Sequence, residues 1–118
     1  MGREYSPAPM AEPASPFVVV LVTVPDAAHG DRIAQALVAE RLAACVNRVG
    51  PVRSTYRWRG AIEVAEELLL VVKTRAALFA QVAARVKALH PHEVPELIAL
   101  PVAAGGADYL AWLSAETA

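Results

Sequence analysis

The chain has 118 residues, a formal charge of −1, and 56 % hydrophobic against 19 % charged residues. It is one domain with room for a real core, too apolar to be disordered throughout and too neutral for non-specific nucleic-acid binding. The single cysteine, Cys45, excludes an internal disulfide, and the apolar runs Phe17–Val22 and Leu68–Val72 fall far short of the ~20 residues of a transmembrane helix.

Residues Met1–Pro16 hold four prolines and no periodicity. They read as a disordered tail, which leaves 17–118 as a single domain. Phe17–Val24 follows as a strand buried on both faces, because its apolar residues run on without alternating. Pro25 stops it, and Asp26 is placed to cap a helix. From Asp31 to Ala44, the residues Ile33, Ala34, Leu37, Val38 and Ala44, joined by Cys45, share one side of a helical wheel. Arg41 falls inside that stripe, where its stem would snorkel to the edge.

Val52–Arg59 alternates with period two and predicts a strand, with Val52, Ser54, Tyr56 and Trp58 on one face. Arg59-Gly60 suits a two-residue primed turn. The return strand runs Ala61–Thr74, polar near the turn at Glu63, Glu66 and Glu67 and apolar from Leu68 to Val72. A second helix is predicted over Arg75–Leu89, capped by Thr74, with a stripe of Leu78, Phe79, Val82, Val86 and Leu89. His90-Pro91 ends it. Leu97–Val102 is a short apolar strand, Gly105-Gly106 a turn, and Asp108 the cap of a last helix through Trp112.

The order β-α-β-β-α-β plus a C-terminal helix is the ferredoxin-like split βαβ pattern of an α+β fold, with both helices on one face of an antiparallel sheet. The other face needs a cover. With a mean hydropathy of +0.38, the natural cover is a symmetry mate.

Three groups of residues carry possible chemistry. Tyr56-Arg57-Trp58-Arg59 on such a sheet invites base stacking, but the residues that follow lack the aromatics of RNA-recognition domains and add three glutamates. Nucleic acid is therefore not an expected partner. His90-Pro91-His92-Glu93 places imidazoles and a carboxylate where they can converge on Cu²⁺ or Zn²⁺. Its alternative is that His90 closes a helix end and His92 sits on the surface. Lys73, directly after a buried run, either snorkels or pairs with Glu63, Glu93 or Glu96. Cys45 reads as a small core hydrophobe. No nucleophile elbow, phosphate loop, dinucleotide fingerprint or zinc-protease helix is present, so no enzyme is expected.

Taken in order, several blocks closely resemble the CutA divalent-cation tolerance proteins. They are Val22-Thr23-Val24-Pro25-Asp26, Glu40-Arg41-Leu42-Ala43-Ala44-Cys45-Val46-Asn47, and Tyr56-Arg57-Trp58-Arg59-Gly60 with Ile62-Glu63. Lys73-Thr74-Arg75, His90-Pro91-His92-Glu93-Val94-Pro95-Glu96-Leu97 and Asp108-Tyr109-Leu110-Ala111-Trp112-Leu113 complete the set. The lone cysteine and the lack of a signal-peptide pattern make reducing cytoplasm the expected compartment. The resemblance implies a homotrimer of PII-like architecture, linked to tolerance of copper and other divalent metals. It also implies inter-subunit clefts, whose matching positions are Trp58, Glu63, Lys73, His90, Glu93, Glu96, Tyr109 and Trp112. Where the family usually has Tyr, this chain has His92, which adds an imidazole. Where some copper-associated members have Cys, it has Val22. The leading expectation is a non-enzymatic trimer that responds to divalent cations and weakly binds a metal, Cu²⁺ through His90 and His92, or a small ligand in those clefts; a signalling or scaffold trimer that binds a small anion or a peptide is the alternative.

Overall fold

The computed structural model describes residues 15–118. In chain order the elements are β1 (Phe17–Val24), α1 (Ala27–Ala39), β2 (Cys45–Trp58), β3 (Ala61–Arg75), a 3₁₀ turn (Ala76–Leu78), α2 (Phe79–Leu89), β4 (Ile98–Pro101) and α3 (Ala107–Glu116). The four strands form one sheet in the order β2-β3-β1-β4, every neighbouring pair antiparallel. This is the expected ferredoxin-like arrangement with its extra helix. Among the described residues, no helix is long and apolar enough to cross a membrane.

The core lies between the sheet and the two central helices. Val18, Val20, Val22 and Val24 of β1 and Leu70 and Val72 of β3 meet Ile33 and Leu37 of α1 and Val82 and Val86 of α2. Here β1 departs from its predicted burial on both faces. Its alternate residues Phe17, Val19, Leu21 and Thr23 are only half buried. The physical reason is that α1 and α2 share one side, so the opposite side has no cover of that kind within the protomer. Gly30 sets how close α1 comes to the sheet, since a Cβ there would lie 3.1 Å from Val24 Cγ2 and 3.5 Å from Leu70 Cδ2.

Asp26 caps α1 as expected, its Oδ1 accepting the His29 N–H at 2.8 Å. The helix, however, stops at Ala39 rather than running to Ala44. Arg41 turns the chain with φ of 60°, and its guanidinium donates to the Ala115 carbonyl of α3 at 2.8 Å. It does not snorkel along a helical stripe. Cys45 is consequently not on the helix but opens β2, opposite Lys73 of β3.

β2 is longer than its alternating stretch, because Gly50-Pro51 sits within it at a register shift between Val49 and Val52. A bulge is a place where a strand tolerates proline's missing N–H. At the far end, Arg59 and Gly60 take φ of 50° and 84°, the two positive values a type I′ hairpin turn requires. The expected turn is present.

Two predicted caps are corrected. Thr74 belongs to β3, fully buried, and its hydroxyl donates to the Leu42 carbonyl at 2.6 Å. The N-cap of α3 is Gly106, while Asp108 stands in the first turn, where its charge favours the helix N-terminus. The expected tail falls mostly outside the described residues. Ser15 and Pro16, also assigned to it, are docked. The Ser15 hydroxyl accepts the Phe17 N–H at 3.1 Å, and the Pro16 carbonyl accepts that of Ala76 at 2.8 Å.

Candidate functional site

The sheet topology brings three segments together at the hairpin end of β1. The β2–β3 hairpin supplies one wall, with Ser54, Tyr56 and Trp58 alternating along β2 and Glu67 opposite Val52 on β3. The segment after α2, Pro91–Glu96, supplies the other. Between them lies a groove of about 810 Å³. Its lining mixes aromatic rings (Tyr56, Trp58) with an imidazole (His92) and carboxylates (Glu67, Glu93, Glu96).

The turn from α2 into this wall is built on His90. The residue is buried, and its Nε2 lies 2.7 Å from the Thr23 carbonyl while its Nδ1 lies 3.1 Å from the His92 amide nitrogen. A carbonyl can only accept and an amide N–H can only donate, so Nε2 carries the proton and Nδ1 is the acceptor. Both ring nitrogens are thereby occupied, and the expected His90–His92 ligand pair does not fit this protomer. A metal at His90 would displace one of those bonds. Among the described residues, no group of three or more His, Cys, Asp or Glu side chains is arranged to hold a metal ion. The alternative reading of His90, as the close of a helix end, is what the geometry supports.

Burial holds the His90 imidazole below its ordinary pKa, reinforced by charge on His92 and His29 and partly offset by the Thr23 carbonyl and the Glu67 charge. Protonation would also cost Nδ1 its bond from the His92 N–H. The folded state therefore takes up the proton less readily than the unfolded chain, whose histidines titrate near about 6.5. Its contribution is complete above that value and is lost as pH falls below it. Thermal unfolding at constant protein concentration is expected to show a falling Tm from about pH 7.5 to about pH 5.5. His90→Gln should flatten that slope; an unaltered slope would assign it to other groups.

Glu67 is the residue whose surroundings differ most from expectation. Expected on the solvated end of the hairpin, it is only 8 % exposed. It faces the same cavity as Glu96, whose carboxyl is pushed above its ordinary pKa by burial and then by the Glu67 charge. At the rim, the Arg59 guanidinium donates to Glu93 Oε1 at 2.9 Å.

The remaining predicted positions lie elsewhere. Lys73 pairs with none of Glu63, Glu93 or Glu96, because the register puts it at the opposite end of β3, beside Cys45. Its ammonium donates to Asn47 Oδ1 and lies 3.9 Å from Cys45 Sγ. Tyr109 and Trp112 lie together on α3 with ring centroids 5.5 Å apart and planes tilted by 41°. Partial burial, then the nearby Cys45 charge, hold the Tyr109 phenol above its usual pKa. Glu63 is exposed opposite Tyr56 on the hairpin and does not line the groove. One protomer thus splits the expected cleft into two groups: Trp58, Glu93 and Glu96 with His92 at the groove, and Lys73 with Tyr109 and Trp112 near Cys45.

Similarity to known proteins covers the same span as this fold. The family model of the CutA1 divalent ion tolerance protein matches residues 18–116. The chain is 54 % identical over 99 residues to the divalent-cation tolerance protein CutA of Thermus thermophilus, covering 84 % of this chain and 96 % of that protein. It is 45 % identical over 102 residues to the chloroplastic protein CutA 1 of Oryza sativa, covering 86 % of this chain and 58 % of the rice protein. Among solved structures, the divalent cation tolerance protein from Thermus thermophilus superposes with a TM-score of 0.85 at 52 % identity, covering 86 % of this chain and 99 % of that one.

Proposed function

The chain belongs to the CutA1 divalent ion tolerance protein family, and on that premise we propose that it acts as a copper-responsive homotrimer. In this reading the trimer is PII-like in architecture, works in a reducing cytoplasm, and takes a divalent cation or a small ligand in its inter-subunit clefts without turning over a substrate. The observation that carries it is the separation of the cleft residues into two groups at opposite ends of β3. A cleft that uses both groups has to be assembled from two chains. Exposed apolar side chains on the hairpin (Tyr56, Trp58, Ile62, Val64) and on the β4 edge (Ile98, Leu100) provide surface for that assembly.

Copper(II) prefers imidazole among the donors lining the groove, and His92 is the one imidazole among the described residues there. Glu93 or Glu96 would add a carboxylate oxygen. With so few ligands per chain, binding is modest. Calorimetric titration of the assembled protein with Cu²⁺ at neutral pH is expected to show it, and His92→Ala should weaken it by about tenfold or more. Acidification should weaken it, because protons compete with a metal for an imidazole lone pair. Retention of full affinity in His92→Ala would place the copper site outside the groove. Light scattering on the same samples tests the trimer.

A further inference from the structure

Two arginines from distant parts of the chain fasten the C-terminal end of α3: Arg41 from the turn after α1, and Arg75 from the end of β3. The last four carbonyls of a helix have no partner within it. Here the Arg41 guanidinium donates to the Ala115 carbonyl at 2.8 Å, and the Arg41 carbonyl accepts the Ala118 N–H at 3.0 Å. Thr117 is 5 % exposed; its hydroxyl donates to the Leu113 carbonyl at 3.0 Å and accepts from Arg75 Nε at 2.9 Å. The Arg75 guanidinium also donates to the Ala118 carbonyl. The rest of α3 is held lightly. Leu113 is its one buried residue and stands apart from the core cluster that takes in α1 and α2. Its N-cap, Gly106, makes no side-chain hydrogen bond, and residues 103–106 before it have no regular structure. Ten residues have little helical stability of their own.

We propose that α3 is a hinged flap, pivoting on residues 103–106 and latched by Arg41 and Arg75, that opens while the core stays folded. Segments with few buried apolar contacts open at lower free energy than the core. α3 is such a segment, whereas α1 and α2 commit Ile33, Leu37, Val82 and Val86 to the central cluster. The flap covers the Cys45–Lys73 end of the β2–β3 ladder. Arg75 lies two residues past Lys73 on β3, and Lys73 stands opposite Cys45. On the latched helix, Tyr109 is close enough to Cys45 for charge on the thiol to act on its phenol. Opening therefore carries Tyr109 and Trp112 away from Cys45 and Lys73 in one movement. The flap goes beyond the ligand reading and holds whatever the clefts bind.

The test is amide hydrogen exchange read by mass spectrometry on the assembled protein, at one concentration and with light scattering on every variant. Amides of α3 are expected to exchange at least about a hundredfold faster than those of α1 and α2. Thr117→Val keeps the side-chain shape and removes the hydroxyl that joins Leu113 to Arg75. It should speed α3 exchange about tenfold further and leave α1 and α2 within about twofold. Arg75→Gln should do the same, and Thr117→Ser should restore the parent rate. Alkylation of Cys45, the chain's single cysteine, should quicken in step with α3 exchange. Should Arg75→Gln fail to fold, the two Thr117 variants decide. Equal acceleration of α1, α2 and α3 would make these contacts part of the global fold and overturn the proposal. Unchanged α3 exchange in Thr117→Val overturns it as well, as does Cys45 alkylation that stays constant while α3 exchange rises.

Discussion

Leu70→Ala is expected to destabilise the protein by about 3–4 kcal/mol, in the upper part of the range for a buried leucine truncated to alanine. Leu70 is fully buried at the middle of β3, with Val22 of β1 and Arg48 of β2 as its strand neighbours. Above it passes α1 at Gly30, where a Cβ would stand 3.5 Å from Leu70 Cδ2. That glycine has no side chain to relax into the space the substitution leaves. The strands on either side are paired to β3 at Val22 and Arg48 and cannot close it either. The cavity therefore persists, and the loss exceeds the transfer free energy of the deleted atoms. Against a total of roughly 5–15 kcal/mol for a typical domain, such a loss is large. Denaturant unfolding at a fixed protein concentration measures it, because association shifts the apparent value. Ile62→Ala on the hairpin, where the side chain is 67 % exposed, should change the fold by less than about 0.5 kcal/mol. A Leu70→Ala loss below about 1.5 kcal/mol would mean the core collapses around the gap, contrary to the packing described.

The parts of this architecture that could be read from residue order are those where one local rule acts alone. Alternation in Val52–Trp58, a positive-φ dipeptide at Arg59-Gly60 and the apolar stripe of α2 each point to one structure, and each is present. The misreadings fall where tertiary contacts override the pattern. The stripe of α1 continues through Ala44 on a helical wheel, but the helix ends because Arg41 adopts a left-handed conformation and bonds to Ala115, a residue distant in sequence. Gly50-Pro51 would ordinarily stop a strand, and here a bulge carries β2 through it.

The site was legible in composition and less so in grouping. The segment from His90 to Glu96 stood out by its imidazoles and carboxylates. What the sequence could not convey was that His90 spends both nitrogens on Thr23 and His92. Nor could it convey that Glu67 is buried. A glutamate beside another, a few residues from a turn, looks like solvated hairpin, and only the Pro91–Glu96 wall makes it the floor of a cavity. Lys73 was separated from its expected carboxylates by register, a property of the whole sheet.

Trp58→Ala is expected to weaken the proposed trimer far more than it weakens the protomer. The indole is 38 % exposed near the tip of the hairpin, where its own sheet offers little to cover it. Within the protomer it meets the groove and the exposed Arg59 side chain, contacts whose loss costs the fold little. An aromatic anchor at an interface costs about 2 kcal/mol or more when truncated. In a closed trimer the substitution occurs once per chain, so the penalty on complete dissociation is about threefold larger, on the order of 10⁴ in the dissociation constant. Ultracentrifugation across a dilution series reads this directly, with unfolding of the dissociated chain as the internal control. An unchanged dissociation constant would remove the hairpin from the interface. Because the same ring lines the groove, a ligand bound there by two chains must also stabilise the trimer by mass action. The Trp58→Ala variant should therefore lose that ligand-induced stabilisation together with its intrinsic association, whereas a trimer held through the β4 edge alone would keep its intrinsic association.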